Sequence, residues 1–505
     1  MEKGYVYLIG AGPGDPGLMT VKGKRCLAEA DTVVYDRLVN NRILSWVRSD
    51  AKLIYAGKRP DHHTLKQNEI NQVLVDEALQ GKVVVRLKGG DPYVFGRGGE
   101  EAEALFNEGI PFEVVPGITS AIAVPSYAGI PVTHRTLTST FTVITGHEDP
   151  MKEDSQINWP RLATDPGTLI FLMGVERLPK IVSQLVSNGK DPETPAALIQ
   201  WGTRPQQKTA VGTLETIVEA VARAGITSPA IIIVGAVVNM RGVLGWFEKK
   251  PLFGQSILVT RAREQASAFS ELIERAGGEA LEAPTIIIDS NDEDPALINA
   301  VHNTAGYDWI VFTSVNGVEA FFNCMAKEGI DIRALGNARI CAIGPKTRER
   351  LAARGLIVEA LPERFIAEGV IDMLKPLVKT GDRVLVPRSD LARATLIEAL
   401  NSLGCEVNEV IAYHTRSCQS FDEDIIDRLK AHTITIITLT SSSTARNLMA
   451  LVEDRALLDN MVFASIGPAT TATLRSYGIE PQIEAKEYTI RGLYDAIVEY
   501  CQKAE

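Results

Sequence analysis

The chain has 505 residues, of which 45% are hydrophobic, 23% charged and 6% aromatic, an ordinary globular composition that excludes wholesale disorder and leaves room for about three to five compact units. Its formal net charge of −11, from 52 basic against 63 acidic residues, argues against a general nucleic-acid or anionic-membrane binder, because affinity there comes from many cationic contacts. The imbalance is uneven: residues 1–250 carry 27 Lys and Arg against 27 Asp and Glu, leaving 25 against 36 for residues 251–505, which suggests two units of separate history.

Met1-Glu2-Lys3-Gly4-Tyr5 runs directly into a strand-like stretch without the charged region and apolar core of a signal peptide. No apolar run approaches the roughly 20 residues needed to span a bilayer. The six cysteines are scattered without C-x-x-C spacing, so neither zinc nor a disulfide framework is expected, and a reducing cytoplasm is. His62, His63, His134 and His147 fit no common ligand spacing, so no metal is expected.

In chain order, β-branched runs at Tyr5–Ile9, Thr32–Tyr35, Val83–Leu87, Phe141–Thr145, Thr168–Leu172 and Ala230–Val234 alternate with longer amphipathic stretches, an α/β pattern. After the first run comes Gly10-Ala11-Gly12-Pro13-Gly14-Asp15-Pro16-Gly17. A dinucleotide fingerprint needs Gly where Asp15 stands, and a P-loop needs more than Gly23-Lys24-Arg25, so what remains is a tight turn that permits close backbone approach to a ligand. The segment Gly89 to Glu101 holds five glycines within eleven residues, interleaved with Asp91 and Arg97. So many glycines are too costly for a core element and read as a functional loop.

A polar, Pro- and Gly-bounded connector at 247–254 precedes a fresh strand at Ser256–Thr260, which places the main boundary near residue 250. The second half repeats itself. Ile257–Arg261 aligns with Val384–Arg388, Gly277 with Gly404, Ile310–Ser314 with Ile437–Ser441, and Ala342–Thr347 with Ser465–Thr470. Each repeat reads as strand, helix, strand ending in Thr-Ser, helix, and strand ending in Gly-Pro-x-Thr, giving two parallel-sheet lobes. Ligands of such sheets bind beyond the carboxyl ends of the strands, where these turns present hydroxyls and amides; the same Ser and Thr side chains also suit plain helix N-caps.

Together with the Gly89–Glu101 segment, the motifs Tyr35-Asp36-Arg37-Leu38-Val39, Gly57-Lys58-Arg59, Val115-Pro116-Gly117-Ile118-Thr119-Ser120, Gly129 to Arg135, Phe171-Leu172-Met173-Gly174 and Gln200-Trp201-Gly202-Thr203 closely resemble the uroporphyrinogen-III C-methyltransferases, in family order over residues 4 to about 246. The resemblance implies the tetrapyrrole methyltransferase fold, two α/β lobes with S-adenosylmethionine in the cleft between them, and a homodimer formed through this half. It carries the cofactor contacts to Pro13, Gly89, Gly90, Asp91, Val94, Thr119, Ser120, Met173 and Gly202. Glycines and backbone groups can wrap a compact zwitterion, and Asp91 tolerates its cationic end; Met173 by itself reads as core. Proton acceptor and donor roles fall on Asp36 and Lys58, which by their residue types equally suit anchoring of substrate carboxylates.

The duplicated lobes resemble uroporphyrinogen-III synthase over residues 255 to about 500. That likeness implies a topology crossing the repeat boundary, with residues 255–290 and 417–505 in one flavodoxin-like lobe, 291–416 in the other, and the cleft between them. Tyr413 matches the tyrosine proposed to assist hydroxyl departure from linear hydroxymethylbilane, and packing between lobes is its other reading. Arg261, Thr313, Ser314, Arg388, Thr440, Ser441 and Thr470 are the substrate-binding candidates. The acidic excess is expected on outer helical faces, away from a cleft that binds an octacarboxylate. The fusion then implies a bifunctional enzyme, bilane to uroporphyrinogen III and on to precorrin-2, leaving siroheme and cobalamin both open as outlets and no dehydrogenase or chelating module expected. A methyltransferase for another tetrapyrrole, fused to a non-catalytic two-lobed binding module, is the alternative.

Overall fold

The computed structural model describes residues 3–57, 65–146, 156–261, 263–360, 362, 367–392 and 394–503. The strands β1 (Tyr5–Gly10), β2 (Thr32–Tyr35), β3 (Lys52–Tyr55), β4 (Val83–Lys88) and β5 (Phe112–Val115) form a parallel sheet in the order β3-β2-β4-β1-β5. Val6, Leu8, Ile9, Val84, Val85 and Leu87 in its centre are inaccessible, which is why β1 and β4 read as near-continuous apolar runs covered on both faces.

The second sheet, β6 (Phe141–Thr145), β7 (Thr168–Leu172), β8 (Pro195–Gln200), β9 (Lys208–Thr213) and β10 (Ala230–Val234), has the order β6-β7-β10-β8-β9. Only β6 and β7 are parallel; β10 runs antiparallel to both β7 and β8, and β8 to β9. The β8–β9 pair carries no clear alternation in sequence, because β8 is wholly interior beyond its first residue while β9 is an edge.

The connector at 247–254 is not a free linker. Phe247 is 4% exposed and lies 4.8 Å from the Tyr127 ring and 5.4 Å from that of Phe253. Glu248 accepts from Gln207 and Thr209 of the first half and pairs with Arg241. Downstream, Leu252 N–H donates to Ala276 O and Lys250 Nζ to Arg275 O. Its polar residues bond to both neighbours, so the composition typical of a linker serves as a packed joint.

In the second half, β11 (Ser256–Val259), β12 (Glu279–Glu282), β13 (Ile286–Ser290), β14 (Trp309–Phe312), β15 (Arg339–Ala342), β16 (Arg383–Ser389), β17 (Glu406–Ser417), β18 (Ile436–Leu439), β19 (Val462–Ser465) and β20 (Ile483–Glu484) make two sheets. Their orders are β12-β11-β18-β19-β20 and β13-β17-β16-β14-β15. Paired by the repeat, β11, β12, β18 and β19 correspond to β16, β17, β14 and β15. Each lobe therefore joins the opening strands of one repeat to the closing strands of the other, in the same order.

The expected change of lobe at residue 290 comes too late. β13 pairs antiparallel with β17, from Ile286 opposite Ser417 to Ser290 opposite Tyr413, and so belongs to the second lobe; the chain crosses before it, at Thr285, whose N–H donates to Thr260 O while Cys418 N–H donates to Thr285 O. β13 and β17 form the ribbon between the lobes, leading from the carboxyl edge of one sheet to that of the other. Among the described residues no helix is long and apolar enough to cross a membrane.

Candidate functional sites

In the first half, three loops meet beyond the carboxyl ends of β1, β4 and β5. Gly12 and Gly90 exchange backbone hydrogen bonds (3.2 and 2.7 Å). A Cβ on Gly117 would lie 2.2 Å from Gly90 O and 2.6 Å from Gly10 Cα, so only glycine permits this approach. A Cβ on Gly90, at φ +70°, would come no closer than 3.9 Å to Thr119 and the Ser120 amide, leaving a cradle open to a ligand. Asp15 fastens the first loop: its carboxylate accepts from Tyr127 Oη (2.6 Å) and Gly17 N–H, and its own N–H donates to Thr203 Oγ1. Burial, with the Asp15 charge beside it, raises the Tyr127 phenol well above its ordinary value.

Pro13, Gly89, Gly90, Thr119 and Ser120 thus share one rim. Gly202 joins it by packing, since its Cβ would overlap Val124 at 2.3 Å. Asp91 carries an additional role: its two carboxylate oxygens accept from Tyr93 N–H (2.8 Å) and Gly117 N–H (3.0 Å), so it staples two loops. Met173, which alone suggests core, is 53% exposed and lines a cleft of about 1110 Å³ with the 92–100 loop; Val94 is also exposed. Among the described residues, five of the seven non-glycine residues with positive φ, Phe95, Arg97, Met173, Trp201 and Thr203, surround this region, a concentration of strained backbone typical of ligand clamps.

Asp36 lies beside the same rim, because Leu38 Cβ sits where a Cβ on Gly89 would come within 2.8 Å. Arg86 Nη2 approaches the Asp36 carboxylate at 3.4 Å. Arg86 and Lys88 are each 3% exposed, and both donate to Oε1 of the inaccessible Glu101, at 3.0 and 2.8 Å. Burial depresses the Lys88 ammonium and Arg86 adds to this, against the pull of Glu101. Among the described residues Glu101 Oε2 has no hydrogen-bond partner. Lys58 lies outside the described residues.

In the second half the candidate residues fall on two carboxyl edges joined by the β13–β17 ribbon. Arg261, Thr440 and Ser441, all half-buried, stand at the ends of β11 and β18; Thr313, Ser314 and Tyr413 stand on the other lobe. Ser314 and Ser441 cap the helices Val315–Lys327 and Ser442–Leu451, as their residue types allow. Ser314 also lies 3.0 Å from Tyr413 Oη. Burial raises the Tyr413 phenol, although the Ser314 and Ser389 hydroxyls oppose it, so it holds its proton at neutral pH.

Two of the substrate-binding candidates are buried. Thr470, 3% exposed, is packed inside the helix Pro468–Ser476. Arg388, 8% exposed, pairs with Glu409 at 2.9 Å and donates to Ala392 O, so its guanidinium is engaged within its own lobe. Nor is every acid outside: Asp390 accepts from the Thr415 amide and lies 3.0 Å from His414 Nδ1 beside Tyr413. Burial favours its neutral form, but these bonds and that of Ser389 hold it below the usual range. Glu274, Glu279 and Glu282 face the first half. Among the described residues no group of three or more His, Cys, Asp or Glu side chains could hold a metal ion.

Arg86, Lys88, Tyr127 and Asp390 fall outside the quoted motifs, and Glu101 only closes one of them. A signal for the first two was present: in Val83-Val84-Val85-Arg86-Leu87-Lys88 two cations interrupt one face of a central strand, where an unpaired charge is prohibitively expensive.

These features define the class: a two-module α/β protein with candidate ligand sites beyond the carboxyl ends of its strands. The family model described as "Tetrapyrrole (Corrin/Porphyrin) Methylases" matches residues 5–218, and that described as "Uroporphyrinogen-III synthase HemD" matches residues 267–495. The chain is 38% identical over 501 residues to the "Porphyrin biosynthesis protein HemD" of Ruminiclostridium josui, covering 99% of this chain and 98% of that one. It belongs to that family, bifunctional tetrapyrrole-biosynthesis proteins with a methylase followed by a synthase. The first half is 56% identical over 236 residues to the uroporphyrinogen-III C-methyltransferase of Priestia megaterium, covering 47% of this chain and 99% of that one. A solved structure of uroporphyrin-III C-methyl transferase from Thermus thermophilus, complexed with S-adenyl homocysteine, is 40% identical, covers 47% of this chain and 99% of that one, and has a TM-score of 0.41.

Proposed function

We propose that the second half closes hydroxymethylbilane to uroporphyrinogen III, with loss of water and inversion of the last ring, and that the first half methylates the product twice to give precorrin-2. The observation that carries this reading is the tandem of the two family matches on one chain, related over 99% of its length to a porphyrin biosynthesis protein.

The glycine cradle at Gly10, Gly90 and Gly117 fits S-adenosylmethionine, which supplies the methyl group. Pro13, Gly89 to Asp91, Val94, Thr119, Ser120, Met173 and Gly202 form the surface that would hold it. Methyl transfer to an electron-rich pyrrole carbon is an in-line displacement, so these residues contribute mainly by positioning. Once the new C–C bond forms, the macrocycle must release a proton. Asp36, kept beside the rim by Arg86, is the acceptor, and Lys58 the matching donor. In the second half Tyr413 gives its proton to the departing hydroxyl, a role supported by a phenol that burial keeps protonated, while Thr313, Ser314, Arg261, Thr440 and Ser441 orient the bilane carboxylates. The first half also forms the contact of a homodimer, as the resemblance implies. A reducing cytoplasm is supported by six free cysteines, five of them buried.

The test is product analysis. Purified protein given hydroxymethylbilane yields uroporphyrinogen III, and with S-adenosylmethionine added, a product two methyl groups heavier. Formation of the uninverted isomer alone removes the synthase assignment; an unmethylated product removes the other.

A further inference from the structure

The Asp36 loop of the first half is held from the second half. After Asp36 the chain passes Leu38 and Asn40 into the short helix Asn41–Leu44, and Arg42 on that helix is only 13% exposed. Its Nε meets Glu274 Oε1 at 2.7 Å, and its Nη1 donates to Glu282 Oε1. Glu282 is itself 13% exposed and accepts from Ser270 Oγ at 2.8 Å. Burial pushes the Glu274 carboxyl up to about 7 despite the pull of Arg42. The other end of the loop is held too: Arg204 Nη2 donates to Leu38 O at 2.8 Å, and two residues on, Gln206 Nε2 donates to Ser256 Oγ at 3.0 Å and to Glu279.

We propose that the synthase half keeps the methyltransferase's Asp36 loop in its working position through Glu282 and Glu274 on Arg42, making both glutamates positioning residues for methyl transfer. The proposal rests on the reading of Asp36 as the proton acceptor. The physical basis is geometric. A guanidinium fork engaged by two carboxylates fixes orientation as well as distance, and a displacement of about 1 Å at a reacting group can lower a rate by about 10²-fold. Surface loops otherwise supply little rigidity of their own. The packed joint around Phe247 and Glu248 gives these bonds a fixed base on which to act.

The test uses the full chain supplied directly with uroporphyrinogen III and S-adenosylmethionine, so that methylation is read without the first reaction, and separately with hydroxymethylbilane. Glu282→Gln and Glu274→Gln lower methylation kcat by about tenfold, leave KM for S-adenosylmethionine within about twofold, and leave the ring-closure rate unchanged. Arg42→Met does the same, and the Arg42→Met/Glu282→Gln double variant is no worse than Arg42→Met alone. Unchanged methylation kcat in both glutamate variants overturns the proposal, as does an equal fall in ring closure, which marks general damage. Arg42→Lys, which keeps the charge but not the fork, guards against misfolding: full methylation activity in it also overturns the proposal. Asp36→Asn is measured alongside. If that variant turns over normally the acceptor assignment fails by itself, whatever the Glu282 variants show.

Discussion

Glu101→Gln is the sharpest perturbation of the first half. The substitution preserves size, so no cavity arises, and it removes the charge from an inaccessible carboxylate whose Oε1 faces Arg86 at 3.0 Å, Lys88 at 2.8 Å and Gln67 Nε2 at 3.2 Å. Two buried cations then remain, with Asp36, 3.4 Å from Arg86, as the nearby counter-charge. Breaking a buried ion pair by removing one partner costs about 3–5 kcal/mol. At about 2–4 °C per kcal/mol for a unit of this size, the first half's transition falls by about 6–20 °C. Calorimetry of the full chain measures it, with the second half's transition as internal reference. Lys88→Met/Glu101→Gln recovers part of the loss, because neutralising both members of a buried pair is far less damaging than neutralising one. A Glu101→Gln transition within about 1 °C of the parent, or a double variant less stable than the single, refutes the view that these charges hold one another.

Three further outcomes follow from the geometry. Gly117→Ala drives a Cβ to 2.2 Å from Gly90 O, backbone against backbone; equilibrium binding of S-adenosylmethionine weakens by tenfold or more, about 1.4 kcal/mol, and an unaltered Kd defeats the cradle. Tyr413→Phe removes the hydroxyl facing Ser314 and slows formation of the inverted isomer by about 10²-fold or more, read by chromatography of the oxidised products; a normal rate withdraws Tyr413 as acid. Glu77, 6% exposed, would be raised by burial, but Lys52, Lys82 and Thr32 hold its carboxyl at about 2. A folded value below the unfolded one, about 4.3, means its stabilisation is complete above that pH and is lost as pH falls toward 2. The Tm gap between the parent and Glu77→Gln therefore closes between about pH 4.5 and 2, and a gap independent of pH would show that the ion pairs contribute nothing.

Local signals are legible in the sequence itself. The glycines at 10–17 and 89–99 announced close backbone approach, and the Thr-Ser and Gly-Pro-x-Thr repeats announced paired carboxyl edges. Asp91, a cofactor contact by resemblance, also joins loops 26 residues apart, and Arg388, a substrate-binding candidate, turns to Glu409 on the neighbouring strand. Charges acquire their meaning from partners that only folding supplies: nothing local to Arg42 identifies Glu282, 240 residues away. Ile286–Ser290 was assigned to the wrong lobe for the same reason, since a short apolar strand fits either sheet and its partner β17 decides.

The exchange of strands between repeats has a consequence for synthesis on the ribosome. β11 pairs with β12, which follows it closely, and with β18, whose approach is marked by a Ser256–Thr435 bond spanning 179 residues. At about 5–20 residues per second, roughly 10–40 s of translation separate those partners. Through that interval the nascent β11–β12 segment presents an unpaired edge, a known invitation to aggregation. The segment carries Glu274 and Glu282, and the half that has already emerged carries Arg42. Because synthesis runs from the N-terminus, the partner that both glutamates meet in the folded chain is already made while these strands wait.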